Sequence, residues 1–127
     1  MTRDRQLLAE ACRTLLRFAG LDVEAHWTPT GPTRRASWLK GYLRRDPKAG
    51  SRPPEQELSR QQRVVLLVVF ELWNSSGEVL LRDVMDLPPR LVEAISSLMP
   101  LVGARGQTTL PESDPVAAWL TRWGSHQ

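Results

Sequence analysis

The run Val64–Phe70, continued by Leu72 and Trp73, is apolar nearly all round at helical spacing, so no face of it can be turned to water. Such a segment has to be covered on several sides. It is far shorter than the roughly 20 residues a membrane-spanning helix needs. Its β-branched Val64, Val65, Val68 and Val69 also tolerate a strand, but Glu57, Leu58, Gln61, Gln62 and Glu71 lengthen the pattern beyond strand size. Ser59 and Gln62 have the spacing of a capping box before it, and the stretch from Asn74 to Gly77 ends it as a helix ends. The expectation is a central buried helix, with Val65, Leu66, Val69, Phe70, Val84, Ile95 and Leu98 in one core. A chain of 127 residues, 41% hydrophobic and 24% charged, can build that core as one domain without disulfides or metal.

The remaining elements have to supply the cover. Residues 5–18 place Leu7, Leu8, Ala11, Leu15, Leu16 and Phe18 on one side of a helix, with Arg5, Glu10, Arg13 and Arg17 between them and Gly20 as the stop. Leu21, Val23, Ala25 and Trp27 then alternate with polar residues, which predicts a half-buried strand over 21–28 and a turn over 29–32. The segment 34–45 reads with either period. A helix is favoured, since Gly41 and the dense long side chains leave few β-branched residues, and it places Trp38, Leu39, Tyr42 and Leu43 on one side. A strand would instead pair back across the turn. Residues 46–54 read as a turn-rich linker. Two helices follow at 80–85 and 88–102, with Gly77 and Gly103 expected as left-handed closures. A short strand at 107–110 and a helix at 114–123, capped by Asp114 with Pro115 at its first position, complete the chain. The expected fold is mainly α: a small helical domain, 1–127, with a winged-helix-like core and a minor β-hairpin. Its N-terminal part is 1–52 and its helical part 53–127.

Charge is distributed unevenly. Residues 1–63 carry 13 basic and 7 acidic side chains, whereas 64–127 carry 4 and 7. The surplus is local: between positions 34 and 52, Arg34, Arg35, Lys40, Arg44, Arg45, Lys48 and Arg52 face a single acid, Asp46. Arginine predominates among the bases, and its planar fork binds phosphate bidentately and stacks on bases. Trp38 and Tyr42, interleaved with these bases, supply faces on which unpaired bases stack. This constellation points to a nucleic-acid-binding surface, with DNA the favoured polymer. It is also compatible with a solvated face or an acidic protein partner.

Catalysis and metal binding find little support. His26, His126 and Cys12 are the only imidazoles and thiol, and no phosphate loop, nucleophile elbow or HExxH pattern occurs. Asp83 and Asp86 lie three apart on a short helix and could share a cation, though a solvated acidic face is the favoured reading; His26 reads as a solvated residue on a strand, Cys12 as a small packed hydrophobe. A non-enzymatic chain without cofactor is therefore expected. With a single cysteine no internal disulfide can form, and the stretch after Met1 lacks the apolar region and cleavage site of a secretory signal, which together point to the cytoplasm and away from the membrane.

Over residues 60–110 the order of elements resembles the winged helix-turn-helix domain of MarR-like regulators. The residues that carry it are Arg63–Trp73, Gly77–Met85 and Leu87–Met99 followed by Val102 and Gly103, a long buried helix, a short helix, a turn and a second helix ending in glycine. The resemblance implies that this last helix enters the major groove, presenting Arg90, Glu93, Ser96 and Ser97 to bases. That face carries no net charge, and residues 103–110 leave room for only a stunted wing. The basic surface is accordingly placed on Arg34, Arg35, Trp38, Lys40, Tyr42, Arg44, Arg45, Lys48 and Arg52, with Arg90 as a secondary contact. The alternative is a protein-protein interaction or adaptor module, including a homodimer, that presents Leu7, Leu15, Phe18, Trp119 or Trp123.

Overall fold

The computed structural model describes residues 3–45, 58–75, 77, 79–103 and 115–124, with no description of the side chains of 3, 4, 41–45, 101–103 and 115. Among the described residues the chain is mainly helical, in the order α1 (Arg3–Phe18), α2 (Val23–His26), β1 (Trp27–Thr28), β2 (Gly31–Pro32), α3 (Arg34–Arg45), α4 (Arg60–Asn74), α5 (Leu81–Met85), α6 (Pro89–Gly103) and α7 (Pro115–Gly124). The strands β1 and β2 form one antiparallel hairpin, Trp27 opposite Pro32 and Thr28 opposite Gly31. Among the described residues no helix is long and apolar enough to cross a membrane.

The apolar run forms α4 and is covered by α1, α3 and α5. Val64, Val65, Leu66, Val68, Val69 and Phe70 are buried, and Val65, Leu66, Val69, Phe70, Val84, Ile95 and Leu98 belong to one core cluster. The capping box closes as its spacing predicts. The Gln62 backbone N–H donates to Ser59 Oγ at 3.1 Å, and Gln62 Oε1 accepts the Ser59 N–H at 3.0 Å.

α1 is the more central helix. It touches α2, β1, α4, α6 and α7, and every residue from Ala11 to Leu16 is buried, Arg13 and Thr14 included, so the one-sided pattern expected there is incomplete. Small Ala9, Ala11 and Cys12 let neighbouring elements approach closely. α1 and α4 run antiparallel and are tied at three heights. Arg5 Nη1 donates to the Trp73 carbonyl at 2.9 Å, Cys12 Sγ to the Val69 carbonyl at 3.7 Å, and Gln62 Nε2 to the Ala19 carbonyl at 3.1 Å. Positions 5, 12 and 19 are each two helical turns apart and therefore define one face.

The strand expected over 21–28 is reduced to two residues. Val23–His26 makes one helical turn instead, with the Ala25 N–H on the Asp22 carbonyl at 3.1 Å; Leu21, Val23 and Trp27 are buried and Asp22 and Glu24 exposed as the alternation predicts, but His26, expected outside, is buried too. A long strand needs a long partner, and the chain after Pro32 enters α3. Gly31, at φ 137°, sits under the Trp73 ring, where an added Cβ would lie 2.9 Å from Cζ2. The left-handed closure of α4 falls on Ser75, φ 60°, not on Gly77. Gly77 is needed for room instead: its N–H donates to Glu71 Oε1 at 3.1 Å, and an added Cβ would lie 1.9 Å from the Leu67 carbonyl oxygen. Gly103 is the last residue of α6, and the strand expected at 107–110 and Asp114 lie outside the described residues.

Gly77→Ala therefore forces backbone apart and should destabilise the fold by about 1–3 kcal/mol, measured by urea denaturation. Gly124→Ala is the control, because nothing lies within 4 Å of its added Cβ.

Candidate nucleic-acid interface

The basic segment begins on a rigid support. The Thr33 N–H donates to the His26 carbonyl at 3.0 Å, and Thr33 Oγ1 donates to the Ala25 carbonyl at 2.8 Å while accepting the Ala36 N–H at 3.1 Å. Thr33 thus caps α3 and fastens it to α2. α2 is itself fixed by α1, since buried Arg13 donates through Nη1 to the Trp27 carbonyl and through Nη2 to Glu24 Oε1, both at 2.7 Å. Trp27, fully buried, packs edge-on against Phe70 and Trp73, with ring centroids 5.2 and 5.7 Å away.

From that support α3 runs as a helix, the favoured of its two periods. Among its described side chains Ala36 and Leu39 are buried, and α2 and α4 are its main neighbours. Arg34, Arg35, Ser37 and Trp38 are exposed, Trp38 to 48%. The expected pairing of Trp38 with Leu39 on one side is thereby corrected: buried positions 36 and 39 set the inner line, and position 38 falls a full step away from it. Lys40 turns the other way. It is half-buried, with Nζ 4.6 Å from the centre of the Phe70 ring, so its charge caps the core edge. Tyr42, Arg44 and Arg45 belong to the last turn of α3, but their side chains lie outside the described residues, as do Lys48 and Arg52 entirely.

Arg90 stands in a different setting. It lies in the first turn of α6, whose main neighbours are α1 and α7, and its guanidinium carbon is 5.0 Å from the centre of the Phe18 ring. The other residues expected to face a groove also have internal engagements. Glu93 lies 3.5 Å from Arg122 on α7, and Ser97 Oγ accepts from Trp119 Nε1 at 3.2 Å, which also donates to the Ala94 carbonyl at 3.1 Å. Ser96 is exposed.

The remaining candidates find structural places. Cys12 is fully buried and packs in the core. His26 is buried as well, correcting its expected solvated position, because the helical turn brings it inward with Nδ1–H on the Asp22 carbonyl at 2.9 Å. Asp83 and Asp86 share Arg60 Nη2, at 3.0 and 3.8 Å. Among the described residues there is no cluster of three or more metal-ligating side chains. Leu15, Trp119 and Trp123 are buried, and Leu7 and Phe18 pack against the core, so the apolar contacts expected for an adaptor are spent inside the molecule. Exposed apolar surface occurs elsewhere, at Leu80, Leu81 and Met85. The Arg13 clamp and the bond from Thr33 Oγ1 to the Ala25 carbonyl had no local signature, since both depend on carbonyls that only the folded chain brings near; the cap that Thr33 gives Ala36 is local. Compared with known proteins, the chain matches no family model, no curated protein and no solved structure.

Thr33→Ala removes the cap and leaves the Ala25 carbonyl without its donor, and should cost about 1–2 kcal/mol in a denaturant titration. Thr33→Ser, which keeps both bonds, should recover most of that loss.

Proposed function

We propose that the protein is a non-catalytic nucleic-acid-binding module whose contact surface is the outer face of α3. One observation carries the reading: Arg34, Arg35 and half-exposed Trp38 lie together on a helix with no acid in its first turn. Two arginines at that end oppose the helix dipole, an arrangement that an anionic partner relieves. Exposed guanidiniums displace counterions from phosphates, and the backbone contact needs no base reading. In this reading α4, α5 and α6 form a winged-helix-like scaffold in which α6 serves packing, and Arg90 is secondary. The fixed start of α3 favours the arrangement, because a contact surface on a supported helix keeps its geometry.

A second reading, self-association through α5, is favoured by the exposure of Leu80, Leu81 and Met85, at 66%, 69% and 68%. The charges beside them balance, Arg60 and Arg82 against Asp83 and Asp86, so a second copy approaching antiparallel would set Arg82 opposite Asp86. Light scattering would then show a dimer that Leu81→Asp with Met85→Asp dissociates; a monomer at high protein concentration removes this reading.

The leading reading is tested by titration with oligonucleotides at several salt concentrations. With roughly four phosphate contacts on a duplex, log K should fall against log salt with a slope near −3.6, and Arg34→Ala with Arg35→Ala should flatten it by about 1.8. Arg90→Ala should change it little. Failure of the wild type to bind any oligonucleotide at low salt would end the nucleic-acid reading.

A further inference from the structure

Charge on α3 suits single and double strands alike, but Trp38 does not. We propose that the ligand of this face is single-stranded nucleic acid, one unpaired base stacking on the Trp38 indole while Arg34 and Arg35 hold the neighbouring phosphates. The inference rests on the nucleic-acid reading above and names the form of polymer that α3 takes.

Trp38 follows Arg35 by three residues and Arg34 by four, so all three side chains rise from one stretch of helix surface with Cβ atoms roughly 5–6 Å apart. A flat apolar face and two planar cations at that separation match a single nucleotide unit, whose base and phosphate demand opposite chemistry. Trp38 is 48% exposed, whereas Trp27, Trp119 and Trp123 are buried and Trp73 is half-buried beneath Arg5, whose guanidinium carbon is 3.7 Å from its ring centre. Trp38 is thus the most exposed tryptophan among the described residues.

A duplex offers it no partner of the same kind, since paired bases hide their faces in the stack. An indole reaches them there only by wedging between base steps and kinking the helix. In a single strand every base presents a face, and stacking accepts any of them. Because an indole stacks on any base and the arginines are assigned to phosphates, binding is expected to be tolerant of sequence, with DNA and RNA strands both accepted.

The test measures binding of labelled oligo-dT, oligo-U and a duplex of equal length at low salt to the wild type, Trp38→Phe and Trp38→Leu. The wild type should prefer the single strands. Trp38→Leu should weaken them by between about 5- and 150-fold, the loss of one stacked base, with the salt slope unchanged; Trp38→Phe should restore most of the affinity. Thermal melts show whether each variant is folded, and if Trp38→Leu is not, the wild-type preference and the Trp38→Phe protein decide. Equal binding of duplex and single strands, indifferent to Trp38→Leu, overturns the inference and leaves the nucleic-acid reading standing. A duplex preference that Trp38→Leu abolishes overturns it in favour of a wedge. Absence of binding to all three oligonucleotides overturns both.

Discussion

The fold depends on how α1 accommodates Arg13. A helix wrapped on nearly every side must be apolar or must pair what polarity it has, and an unpaired buried guanidinium would cost several kcal/mol. Arg13 meets this through its two Nη atoms, with the Trp27 carbonyl and with Glu24, whose own side chain stays largely in solvent, so only one partner of the ion pair is largely withdrawn from water. The clamp fixes where α2 and the hairpin lie on α1. Because Thr33 then hangs α3 on the carbonyls of Ala25 and His26, the position of Arg34, Arg35 and Trp38 descends from the same guanidinium. Structure and the proposed contact surface are therefore coupled through one buried charge.

The opposite flank of α1 is held chiefly by aromatic packing, with Arg90 over Phe18 and the Arg122–Glu93 pair at its edge. Phe18 meets Trp123 edge-on at 6.1 Å, Trp123 lies 6.4 Å from Trp119, and the Trp119 N–H is taken up by the Ala94 carbonyl and Ser97 of α6. α6 carries Pro100 within it, which removes one backbone donor near its end. Aromatic packing thus ties α7 to α1 and one satisfied indole ties α7 to α6, while hydrogen bonds fasten α2 to α1 and α3 to α2.

Local pattern revealed those parts of the structure whose causes are local. The all-round apolarity of Val64–Phe70 and the Ser59/Gln62 spacing specify α4 without help from elsewhere, and the helices after it follow from their own periodicity. What stayed hidden was set by distant partners. Leu21–Thr28 alternates as a strand should, yet the chain after Pro32 enters α3, so Val23–His26 make a helical turn and only Trp27 and Thr28 remain strand. Arg13 reads as a solvent residue until the Trp27 carbonyl arrives above it. Gly77 reads as a helix stop, but its role is to let the chain pass within reach of Leu67 and Glu71, a closeness no spacing encodes.

The candidate surface was legible to the same degree. Net charge pointed to α3 because charge is additive along a chain, but the side each residue takes depends on which of them the core captures. Ala36 and Leu39 were captured, and the consequences run in opposite directions for two neighbours: Lys40 is drawn over Phe70 and leaves the outer face, while Trp38 is turned out onto it. The helix thus draws its lysine to the core edge and leaves its tryptophan half-exposed beside Arg34 and Arg35, and apolar area left in water is area not contributing to burial. The proposed stacking contact supplies a reason for that choice, one that charge by itself does not contain.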